Sequence, residues 1–124
     1  MSKRAVLLTL SALAVAALQT GCGEKVLTYQ TNIKPILEAN CVSCHVSGSE
    51  GYEKSGLRLD SYETLMKGTK FGPVIVPGSS VSSTLYRLVA GQADPSIRMP
   101  HGQAALSEKD VTTIATWIDQ GAKY

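Results

Sequence analysis

The chain has 124 residues, 12 of them Lys or Arg and 10 Asp or Glu, giving a formal net charge of +2. That length supports one compact domain and leaves too little for a second core. The charge balance lacks the clustered basic excess that a phosphate backbone demands, which excludes nucleic acid as an expected partner.

Lys3 and Arg4 precede an apolar run from Ala5 to Leu18 that only Thr9 and Ser11 interrupt, the pattern of a secretory leader. A spanning helix needs about 20 apolar residues, and this run is shorter. Leu18-Gln19-Thr20-Gly21-Cys22 follows. It resembles the lipobox of bacterial lipoproteins, in which a small residue precedes the cysteine that takes the lipid; Gln19 departs from the aliphatic or small residue usual there. The expectation is a signal peptide over 1–21, an anchor and linker over 22–28 with Cys22 lipidated, and one domain over 29–124. Cleavage after Ala14-Val15-Ala16 is the alternative, and it leaves Cys22 as a stray thiol. Without Lys3 and Arg4 the basic and acidic side chains balance, so the excess charge belongs to the leader. The absence of an acidic residue at Gly23 leans, by resemblance, toward an outer-membrane address.

Beyond the linker, Ile33, Ile36 and Leu37 set a helical period that runs to Asn40. With Asn32 as N-cap, Pro35 falls at the third helical position, where a missing N–H costs little. This helix ends directly at Cys41. Residues 46–59 are rich in Ser, Gly and charge and read as a loop. Asp60-Ser61-Tyr62-Glu63 starts a short helix with Asp60 as cap and Gly68 as stop. A turn-rich stretch over 73–78 leads to a helix expected from Ser80 to Ala90, with Val81, Leu85, Leu88 and Val89 on one face. In the last helix Ser107 caps, Asp110 holds the third position, and Val111, Ile114, Ala115 and Ile118 form an apolar stripe before Gly121. No useful strand alternation occurs, so the fold is expected to be mainly α.

Between the first two helices stands Cys41-Val42-Ser43-Cys44-His45. Two thiols at this spacing can each form a thioether with a haem vinyl group, and the following histidine is placed to bind the iron. A thioredoxin-like dithiol is one rival, but it needs a βαβ setting. Zinc is another, and it wants four ligands where only His101, Cys22 or a carboxylate could complete the set. With Cys22 reserved for the anchor, no thiol remains for a disulfide. A covalent buried cofactor is a sensible substitute staple for a small domain.

The sixth iron position has three protein candidates, Met66, Met99 and His101. Met66 lies in an apolar helical segment, where methionine is commonly core filling. Met99 sits between Arg98 and Pro100 in a loop, and a ligand role explains it better; His101, Met66 or an open position are the alternatives. A cavity is expected near His45 and Met99. The Nδ1 of His45 is expected to donate to a backbone carbonyl, with the 72–78 segment as the source.

Taken together, Ile33 with Pro35-Ile36, the Cys41 to His45 motif, Gly56-Leu57-Arg58-Leu59-Asp60-Ser61-Tyr62, Val76-Pro77-Gly78, Arg98-Met99-Pro100 and Trp117-Ile118-Asp119-Gln120-Gly121-Ala122 resemble the planctomycete-type cytochrome c domain, a variant of the small monohaem class I cytochromes. The likeness spans about Tyr29 to Ala122. It implies a small cytochrome c-like fold of about four helices wrapped around one covalent haem c, with first and last helices crossing and the Met-Pro loop giving the distal ligand. Trp117 reads as packing for the last helix, and Lys25, Lys54, Lys67 and Lys70 as solvated side chains.

The function expected is one-electron transfer between exported redox proteins, in the periplasm or at a membrane surface through the Cys22 lipid, with no small-molecule substrate and no enzymatic turnover. A haem ligand-binding or sensor module with a labile sixth position is the alternative. A di-haem peroxidase would require a second Cys-x-x-Cys-His, and these 124 residues hold one.

Overall fold

The computed structural model describes residues 23–124; the leader and Cys22 lie outside the described residues. Among the described residues five α-helices follow one another, α1 (Lys34–Asn40), α2 (Glu50–Ser55), α3 (Tyr62–Lys67), α4 (Thr84–Val89) and α5 (Glu108–Asp119), with a short 3-10 turn at Pro95–Ile97. Among the described residues there is no strand, only an isolated bridge between Thr69 and Gly72. The mainly α expectation holds.

The first helical segment starts earlier than the sequence suggests. Thr28 is its cap, accepting from the Thr31 N–H at 3.3 Å, while Asn32 Oδ1 accepts from the Thr28 N–H at 3.0 Å. Asn32 therefore lies inside the segment. A π-helical turn over Tyr29–Ile33 precedes α1, and the Lys34 N–H bonds back to the Tyr29 carbonyl. This wider turn changes the register just before Pro35, the residue that has no N–H to give.

α2 is a helix where a loop was expected. None of its residues is buried, so it leaves no apolar period in the sequence. It is held by the Lys54–Glu50 ion pair at 2.6 Å and ended by Gly56 in the left-handed region at φ 75°. α3 is capped by Ser61, which accepts from the Thr64 N–H at 3.2 Å, rather than by Asp60. Asp60 instead pairs with Arg58 at 2.7 Å and accepts from Thr64 Oγ1.

α4 begins at Thr84, later than the Ser80 expected, and Val81 is 70% exposed. Asp119 on α5 takes the Ser80 N–H at 2.7 Å and the Ser80 hydroxyl at 3.0 Å. Ser83 Oγ accepts from the Val76 N–H and donates to the Ser79 carbonyl, both at 2.8 Å. These bonds hold residues 76–83 in turns before the helix can start. α5 follows its expectation, with Ser107 accepting from the Asp110 N–H and Ile114, Trp117 and Ile118 buried.

The core joins Ile33 and Leu37 from the first segment to Leu65, Ile114, Trp117 and Ile118, all almost fully buried. The first segment packs on α5, and so does α4. Beyond α5 the chain is clamped back: the Tyr29 N–H and Trp117 Nε1–H both donate to the Lys123 carbonyl, at 2.9 and 2.7 Å, and Tyr62 donates to the Ala122 carbonyl at 2.9 Å.

Candidate haem-binding site

The end of α1 tightens into the cysteine motif. The N–H groups of Cys41 and Val42 share the Leu37 carbonyl at 2.8 and 3.0 Å. Those of Cys44 and His45 then fold back on the Cys41 carbonyl, both at 3.1 Å. Cys41, Cys44 and His45 thus belong to one turn, with Cys41 half-buried, Cys44 exposed, both thiols free and His45 buried. Cys41 and Val42 pack against the core, which ties the motif to the hydrophobic interior.

α2 is the wall behind this turn. The Cys44 carbonyl accepts from Ser49 Oγ at 2.6 Å and from the Tyr52 N–H at 3.2 Å. Between these two donors lies Gly51. A Cβ there would collide with the Cys44 carbonyl oxygen and stand 3.0 Å from Cε1 of His45. On the other side, the Leu59 N–H donates to the His45 carbonyl at 2.9 Å, laying residues 57–59 along the histidine.

His45 Nδ1 is buried with no hydrogen-bond partner. Burial pushes the pKa of the ring below that of an ordinary histidine, and the Leu57 carbonyl pulls it partly back. The backbone group acting on the ring is therefore in the 57–59 stretch, not in the 72–78 segment expected. Carbonyls of that segment have other donors: Val74 accepts from the Leu85 N–H at 3.0 Å and Val76 from the Ser79 N–H at 3.0 Å. Neither Gly51 nor Leu57 stands out in the sequence as a site residue; a glycine just inside a charged helix is the one signal that could have pointed there.

Met99 is half-buried and packs on the core, as does Met66, so core packing accounts for both side chains in part. The Met99 N–H donates to the Leu88 carbonyl at 3.3 Å, and Pro100 behind it is buried. His101 is exposed. The Glu50 carboxyl is held below the usual range, first by Lys54 and to a smaller degree by His101. A cleft of about 530 Å³ lies between α4 and the start of α5, lined by Val89, Arg98, Leu106, Glu108 and Val111 among others. Neither His45 nor Met99 lines it or the smaller cleft beside Leu88 and Ile97.

The rival chemistries fare worse. Burial, and then the neighbouring Cys44, push the Cys41 thiol up to about 11, the wrong direction for an attacking redox cysteine. Among the described residues no three His, Cys, Asp or Glu side chains stand together as metal ligands. What fits haem is the donor set: two free thiols on one turn, and an imidazole whose burial disfavours the charged form, leaving the neutral form that binds a metal favoured.

A helical domain built around such a turn is a cytochrome c domain. The chain belongs to the planctomycete cytochrome C family, whose model matches residues 41–102. Membership brings with it a covalently bound haem c and a haem-based function of the electron-transfer type. No curated protein matches the chain. Among solved structures it is similar to Kuenenia stuttgartiensis hydrazine synthase, with a TM-score of 0.52 and 24% identity over 77% of this chain. It spans 16% of that protein's chain, and at this identity the likeness concerns the fold alone.

Proposed function

We propose that the protein is an exported monohaem cytochrome that passes single electrons between redox proteins and turns over no substrate. Cys41 and Cys44 hold the haem, His45 is the proximal iron ligand and Met99 the distal one. Bound there, haem c supplies a one-electron iron couple, whose potential a histidine and methionine pair raises. The observation that carries this reading is the buried imidazole of His45, its Nδ1 without a hydrogen-bond partner, on the same turn as two free thiols. The Cys44 carbonyl and the Leu59 N–H fix that turn from both sides, so the ring is oriented before any metal is bound. Pro100 and the Leu88 carbonyl position the Met99 backbone in the same way. Cys22 anchors the protein by lipid at the periplasmic face of a bacterial membrane, as the leader and the lipobox-like segment support.

Intact mass spectrometry and optical spectra of the exported protein test this. One haem per chain is expected, with loss of covalent attachment in Cys41→Ala/Cys44→Ala. Met99→Ala should abolish the ferric methionine-to-iron charge-transfer band and open the ferrous form to carbon monoxide. A properly matured chain that is colourless overturns the reading. Ready carbon monoxide binding by the unaltered protein replaces it with a sensor.

A further inference from the structure

The segment after Cys22 is fastened to the end of α5 by one side chain. Gln120 Oε1 accepts from the Leu27 N–H at 2.8 Å, and Gln120 Nε2 donates to the Lys25 carbonyl at 3.1 Å and to Glu24 Oε1 at 3.3 Å. Two residues further on, the Tyr29 N–H is on the Lys123 carbonyl, and the Tyr29 and Tyr124 rings stack 6.1 Å apart. The 24–29 stretch and residues 120–124 therefore make one end of the molecule. Cys22 stands three residues before Lys25, a leash of at most about 10 Å. So short a connection leaves no freedom for the domain to turn over.

We propose that this end, residues 23–28 with 120–124, lies against the lipid bilayer, and that the haem motif is held at the opposite pole. The inference rests on acylation of Cys22. The surface of this end fits such a contact, with Val26 56% and Tyr124 64% exposed and Lys25 and Lys123 beside them. An aromatic with a polar tip and lysines with long apolar stems are side chains that settle at a headgroup boundary. Glu24 offsets part of the lysine charge, so the contact does not depend on anionic lipid.

The helices set the distance. Beyond the π-helical turn at this end, the seven residues of α1 add about 10 Å of helix before Cys41. α5 runs the other way: its C-terminus is at the anchored end, and its N-terminus follows the 99–106 loop. Both iron-ligand candidates are thus carried toward the aqueous phase, where a soluble redox partner can reach them.

The acylated holoprotein can be placed in vesicles of phosphatidylethanolamine and phosphatidylglycerol and its amide hydrogen exchange compared with that of a soluble Cys22→Ser form. Exchange at 23–28 and 120–124 should slow several-fold in vesicles, with no change over 98–103. Gln120→Ala should keep the protein on the vesicle and lose the protection at 120–124. Intact mass separates the two possible failures. If Cys22 carries no lipid, the anchor reading fails and the orientation with it; if Cys22 is acylated and exchange is unchanged, or slows at 98–103 instead, the orientation alone is overturned.

Discussion

Gly51 lies within α2, where the backbone is helical and a glycine costs about 0.5–1 kcal/mol relative to alanine. Close approach explains its presence, since a Cβ would run into the Cys44 carbonyl and the His45 ring edge. Gly51→Ala should therefore destabilise the holoprotein by about 1–3 kcal/mol, as overpacking does, despite its better helix propensity. Denaturant midpoints check this, and a gain in stability would show that α2 can yield. Asp60 behaves differently. Arg58 first, and then Thr64, hold its carboxyl below the usual range. A depressed carboxylate stabilises the fold above its unfolded pKa, and the contribution is lost as pH falls through the folded value. Because the pair is exposed, Asp60→Asn should cost at most about 0.2–1 kcal/mol at pH 7. The variant and the parent should converge only as pH falls from the ordinary Asp value of about 3.9 through the lower folded one, as paired denaturation curves at neutral and acid pH would reveal.

Where an element begins depends on polar side chains as much as on apolar period. In α4 the pattern reaching back to Val81 predicts a longer helix, but Asp119 holds Ser80 and Ser83 holds Val76 and Ser79. Asp119→Ala should cost about 1–3 kcal/mol by removing two bonds to a charged acceptor. Amide exchange at Ser80 should quicken with it; unchanged exchange would mean the turn is held by Ser83 alone. In α5, by contrast, the cap, the stripe and the stop all come from neighbours in sequence. Its limits were legible for that reason. α2 was not legible, because a helix with no buried residue has no period to read.

For the whole molecule, the junction of the two chain ends matters most. Trp117, fully buried, packs beside the Tyr29 ring at a centroid distance of 6.4 Å and donates to the Lys123 carbonyl. Trp117→Ala should cost about 3–5 kcal/mol through the lost volume. Trp117→Phe should cost about 1–2 kcal/mol, one hydrogen bond plus the smaller ring, while the Tyr29 N–H still satisfies that carbonyl. Thermal denaturation of the two variants decides; equal losses would place the contribution in the indole N–H and not in its bulk.

By itself the sequence determined the chemistry and the helical class. Cys41, Cys44 and His45 are three reactive groups within five residues, and α5 is a local pattern with its own cap. Such features depend on spacing along the chain, which is visible without coordinates. Tertiary structure alone decided that Leu57 and Gly51 flank His45, that Thr28 and not Asn32 opens the first segment, that α4 starts late, and that Gln120 fastens the 24–27 stretch to the end of α5. Each of these is a contact made by a polar atom or by a missing side chain, often with a residue far away in sequence, and neither leaves a period to be read.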